Sequence, residues 1–129
     1  MSGRRAPSLR EIETLAEAAL ATIPDAMRRQ IGPLVIRVEE FADEETEEEM
    51  ELESPFDLLC LDRGGVRPHK SVTGTRAEPD MVFLYRRPIL DYWCETGDTL
   101  DAVVRHVLIH EIGHHLGFSD EDMERIEEG

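Results

Sequence analysis

The run LDAVVRHVLIHEIGHHL, residues 100–116, constrains this chain more than any other stretch. Val103, Val104, Val107, Leu108, Ile112 and Leu116 recur at helical spacing, so one side of a helix here must face a core. Gly97 and Asp98 break the segment before it, Thr99 or Asp98 can cap it, and the spacing predicts a helix from Leu100 to His115 with Gly117 just beyond. The same helix carries His106, His110, Glu111, His114 and His115, so its other sides hold most of the chain's titratable imidazoles.

The remaining sequence supplies what that helix can pack against. Leu9 to Met27 has apolar residues at Leu9, Ile12, Leu15, Ala16, Ala19, Leu20 and Ile23, which predicts an amphipathic first helix with Ser8 as its N-cap. LVIRVEEF, from Leu34, is β-branched and alternating, as a strand should be. PFDLLCLDRGG, opened by Ser54 and Pro55, predicts one or two helical turns ending at Gly64 and Gly65. VRPHKSVTGTRAEPD has loop composition, and MVFLYRRPI predicts a strand ended by Pro88, with a short helix from Ile89 to Cys94 after it. Ser119 and Asp122 resemble a capping box for a last helix, DEDMERIEE. The expected fold is α+β: a small mixed or antiparallel sheet packed on helices, with the histidine-bearing helix near the C-terminus and residues 1–129 forming one domain.

Charge narrows the partners. The net charge of −15 opposes binding to nucleic acid or to an anionic membrane surface. No apolar run reaches the ~18 residues of a membrane span, and the first residues lack the apolar segment of a signal peptide, which makes the cytoplasm the default compartment. Cys60 and Cys94 belong to no C-x-x-C pair, so two reduced, mostly buried thiols are expected. Between Glu39 and Glu53 stand ten acids and no base. Such a block reads as a solvated loop or a frayed helix face, and less readily as a recruiter of a cationic partner or substrate.

The chemistry lies in HEIGHHLGFSD. His110 and His114 are four residues apart, so their imidazoles leave one helix face and can grip one ion. Glu111, turned by about 100° from His110, can reach a water on that ion without taking a coordination position. Gly117 can end the helix with a left-handed turn and bring Asp120 back as a third, oxygen ligand, whereas a continuing helix would carry it away. Two imidazoles, a carboxylate and an open water position describe a catalytic Zn2+ site. Asp120 also has a simpler reading as an acid in the first turn of the last helix, favoured by the helix dipole, and Glu124 is the alternative carboxylate ligand.

His110 to Asp120 resembles the extended zinc motif of the metzincin clan, with aspartate at the third-ligand position as in snapalysin-type enzymes. More closely, the chain from about Ser54 to Glu128 resembles a small family of bacterial zincin-like metallopeptidases, through the DLL piece, the loop leading into PDMVFLYRRPIL, and HEIGHHLGFSDEDM. The resemblance implies a zincin-like minimal domain in which His110, His114 and Asp120 hold zinc and Glu111 is the general base. Two departures accompany it. Metzincins place a methionine turn well downstream of the third ligand, and Met123 is too close to Asp120 to be taken as its equivalent. Zincin clefts also have a lower wall that this chain nearly lacks, which leaves a shallow cleft or one completed by another copy in a homo-oligomer.

Three functional readings are open to such a chain. The first is a zinc-dependent peptidase acting on a peptide or protein substrate. The second is a metal-binding adaptor or regulator with a vestigial hydrolytic site. A third, weaker one is amide or ester hydrolysis of a small molecule. His115 should point away from the metal, to the surface or to a supporting hydrogen bond, and helical drift should leave His106 off the metal. His69 has no assigned role. Tyr85 and Arg86 invite an oxyanion-stabilising role, although plain strand alternation accounts for them better, and their strand can present an edge to an extended peptide.

Overall fold

Ser8 starts the first helix by a reciprocal cap: its Oγ accepts from Glu11 N–H at 3.1 Å, and its own N–H donates to Glu11 Oε1 at 2.7 Å. The computed structural model describes residues 5–31, 33–63 and 80–128, with the side chains of Ala26, Asp80, Asp120, Glu127 and Glu128 outside that description. Among these residues the order is α1 Leu9–Leu20, α2 Asp25–Ile31, β1 Leu34–Glu39, α3 Glu44–Glu49, a 3-10 turn at Pro55–Asp57, β2 Cys60–Arg63, β3 Asp80–Tyr85, α4 Arg86–Thr96, α5 Leu100–Leu116 and α6 Asp120–Glu128.

The helix expected from Leu9 to Met27 is two helices. Thr22 Oγ1 donates to Ala19 C=O at 2.7 Å and closes α1, and Pro24, with no N–H for an intrahelical bond, precedes the restart at Asp25. Ile23 and Met27 are buried all the same, so the apolar pattern marked the core correctly while proline set the break.

The sheet is mixed, as one of the expected alternatives had it. Its order is β1-β3-β2, with β1 parallel to β3 from Leu34↔Asp80 to Glu39↔Tyr85, and β2 antiparallel to β3 from Cys60↔Leu84 to Arg63↔Met81. Ile36, Cys60, Val82 and Leu84 join Ile12 and Ala16 of α1 and Val104 and Leu108 of α5 in one core. Two helices therefore cover one sheet face, and α5 lies against the β2 side of it.

Other boundaries moved. The apolar piece after Ser54 makes only a 3-10 turn and then becomes β2, because pairing with β3 satisfies its backbone better than an isolated helical turn can. Gly64, Gly65 and the loop residues through Pro79, including His69, lie outside the described residues. The strand β3 stops at Tyr85, and α4 begins at once. Pro88 sits in its first turn, where a missing N–H costs no intrahelical bond. Cys60 is buried as expected, but Cys94 on α4 is exposed, and both are free thiols.

The acidic block folds more than its composition suggests. Asp43 caps α3 by accepting from Thr46 N–H at 2.8 Å, Ala42 and Thr46 are buried, and Arg63 of β2 donates to Thr46 Oγ1 at 3.1 Å and to Glu49 Oε1 at 2.8 Å. Three consecutive carboxylates, Glu47 to Glu49, are thus tolerated on one short helix because an arginine from the sheet is fastened to it. No helix among the described residues is long and apolar enough to cross a membrane.

Candidate metal centre

Helix α5 runs unbroken from its Thr99 cap, which accepts from Ala102 N–H at 3.4 Å, to a left-handed Gly117 at φ 85°. Gly117 N–H donates to His114 C=O at 3.1 Å and Phe118 N–H to Gly113 C=O at 2.8 Å, the paired bonds of a Schellman ending. Ser119 and Asp122 then cap α6 reciprocally, with bonds of 3.1 and 3.3 Å. The expected turn at Gly117 is therefore present, and Asp120 is the first residue of the helix that follows it. The Asp120 side chain lies outside the described residues. Glu124, the alternative ligand, is exposed on α6.

His110 and His114 do share a face. Their ring centroids are 6.1 Å apart at right angles, and both line a cleft of about 260 Å³ together with Glu111, His106 and Val107 from α5. His106 is closer to this group than helical drift predicts, with its ring centroid 4.2 Å from that of His110. The opposite wall comes from Leu59 and Cys60 before and within β2 and from Tyr92 of α4. Sequence reasoning missed these three, since nothing in their local pattern links them to α5.

Glu111 is half-buried beside β2. Its Oε2 accepts from the backbone N–H of Asp62 at 3.0 Å. Burial pushes the Glu111 carboxyl up from its ordinary value, and the neighbouring Asp62 carboxylate adds to this, against the Asp62 N–H bond and the nearby His114, which pull it down. The Cys60 thiol is pushed up by burial and by the Glu111 and Asp62 carboxylates, so it stays protonated. His115 turns away from the cleft as expected, and its Nδ1 lies 2.6 Å from Asp62 Oδ2.

Met123 packs against the motif at Gly113. It is fully buried on α6, and its Sδ lies so close to the backbone of Gly113 that a Cβ there would stand 2.3 Å from it. Only glycine lets α6 approach α5 this closely.

Tyr85 and Arg86 are not part of this cleft. The Tyr85 ring sits on the other face of the sheet, and Arg86 donates to Pro7 C=O at 2.6 Å and to Glu40 Oε1 at 2.8 Å, so their suggested oxyanion role does not hold. Nor is their strand an edge: β3 is central, and among the described residues the strand beside α5 with an open side is β2.

Two imidazoles on one face with an adjacent half-buried carboxylate are a donor set that suits zinc. Among the described residues, no three His, Cys, Asp or Glu side chains come together as a complete metal-holding group. Residues 31–129 match the family of zincin-like metallopeptidases, and the chain belongs to that family. Its class is therefore that of a zinc metallopeptidase fold, with zinc binding implied by the family. No curated protein matches the chain.

Proposed function

We propose that this chain hydrolyses peptide bonds with zinc held by His110, His114 and Asp120 and with Glu111 as general base. The observation that supports it most is the shared cleft of His110, His114 and Glu111, lined on its far side by residues of other elements. Zinc bound there supplies positive charge that polarises a peptide carbonyl and eases removal of a proton from water.

The chain's own groups then have distinct tasks. With Oε2 occupied by Asp62 N–H, the other Glu111 oxygen takes the proton from the attacking water as its oxygen bonds to the carbonyl carbon. Glu111 later passes that proton to the leaving amine nitrogen as the C–N bond breaks. Among the described residues the outer side of β2, next to α5, carries no further strand, and an extended peptide can lie along it.

Metal content per chain tests the ligand set, on untagged protein purified without added metal, for wild type beside His114→Ala and Asp120→Ala. The expected result is about one zinc in wild type and loss or weakening in both variants. Retention of zinc by Asp120→Ala, with loss on Glu124→Ala, would move the third ligand to Glu124. Stoichiometric zinc with no cleavage of any peptide in a broad library would instead favour the adaptor reading.

A further inference from the structure

A second pocket, of about 190 Å³, lies on the sheet face that α1 and α5 do not cover. It shares no residue with the histidine cleft, so a ligand bound there is independent of the hydrolytic reading. Strand alternation separates the two: Cys60 and Asp62 of β2 face α5, while Arg63 turns to α3.

The pocket's rim is acidic, from Glu39 at the end of β1 and Asp43, Glu45 and Glu49 at α3. Arg63 is its one base among the described residues, and at 2.8 Å it is committed to Glu49. Asp43 is committed to the α3 cap. Glu39 and Glu45 have no ion-pair partner among the described residues.

The pocket's floor is aromatic. Phe83 and Tyr85 alternate on β3, and their rings stack with centroids 6.5 Å apart and planes 14° from parallel. Tyr85 is only 3% exposed and lines the pocket with Glu39, Asp43 and Arg63, and its hydroxyl makes no hydrogen bond among the described residues. No fully buried side-chain oxygen among the described residues lacks a partner, so the hydroxyl opens on the pocket rather than into the core. A ligand N–H entering the pocket would supply a bond to it.

The geometry points to a site for one organic cation, the ammonium or guanidinium of a lysine or arginine side chain from a polypeptide. A metal ion does not suit it, since the carboxylates do not converge as a metal-holding group among the described residues. An organic cation needs no such convergence. Its alkyl stem can lie on the Phe83 and Tyr85 rings, its charge can meet an aromatic face and two spaced carboxylates, and one N–H can reach the Tyr85 hydroxyl.

The test is nitrogen-15 NMR titration of the full chain with four probes: the N-acetyl methylamides of lysine, arginine and norleucine, and spermidine. The lysine or arginine probe should give saturable shifts at the backbone amides of Thr46, Arg63, Phe83 and Tyr85, and the neutral norleucine probe should bind at least ~10-fold more weakly. Glu39→Gln with Glu45→Gln, both exposed positions that keep the fold, should weaken the cation at least ~10-fold, and Tyr85→Phe about 3-fold. Absence of saturation, equal binding of norleucine, or shifts spread over all acidic surfaces and indifferent to these substitutions would overturn the site. Saturation by spermidine but by neither amino-acid probe would overturn the side-chain source and reassign the occupant to a free polyamine.

Discussion

Asp62 is held twice by α5: its N–H donates to Glu111 Oε2 at 3.0 Å, and its Oδ2 meets His115 Nδ1 at 2.6 Å. Glu111 and His115 are one helical turn apart, so a single residue of β2 ties both to the sheet. With its apolar face on the core, α5 presents His110 and His114 to the cleft.

Glu111→Gln separates chemistry from architecture. The amide retains an oxygen that can accept from Asp62 N–H, so the fold and zinc content should match wild type. Peptide hydrolysis should fall at least ~100-fold, the scale of a lost general base. An undiminished turnover number in the zinc-loaded variant would remove Glu111 from the mechanism.

Asp62→Ala removes one partner of His115 while leaving the backbone donor to Glu111 in place. Chemical denaturation should show a loss of about 1 kcal/mol. Asp62→Asn, which can still accept from an imidazole N–H, should lose less, and equal losses would mean that the contact depends on the carboxylate charge.

Gly113→Ala would push a methyl carbon to 2.3 Å from the Met123 sulfur. Met123 is fully buried, so destabilisation of about 1–3 kcal/mol is expected from overpacking. In a double-mutant cycle with Met123→Ala the two losses should be less than additive, because the second change removes the atom that the first collides with. Strict additivity would show that the helices had moved apart instead.

Tyr85 should make the protein sensitive to alkali. Burial, aided by Glu39 and Asp43, pushes its hydroxyl from the ordinary value of 10 to about 12. The folded-state value is raised, so the stability involved is complete below pH 10 and is lost as pH climbs from 10 to about 12. Tyrosinate absorbance should show a late step that Tyr85→Phe abolishes, and the same variant should keep its stability through that range.

Much of the frame is local chemistry that the sequence by itself determined. Thr99 and Gly117 bound α5, Ser8 with Glu11 opens α1, Ser119 with Asp122 opens α6, and H-E-x-x-H puts two imidazoles on one helix face, each through contacts within one or two turns. Where two local readings were nearly equal, tertiary structure decided. The apolar residues around Cys60 became a strand because β3 offered partners, Pro88 entered a helix because its place in the first turn needs no donor, and the acidic run folded because Arg63 reached it. The far wall of the cleft, the hold of Asp62 on Glu111 and the seat of Met123 under Gly113 join residues 10 to 55 positions apart. Spacing along a chain carries no information about such meetings; they exist only once the buried faces of α1, α5 and the sheet have chosen each other.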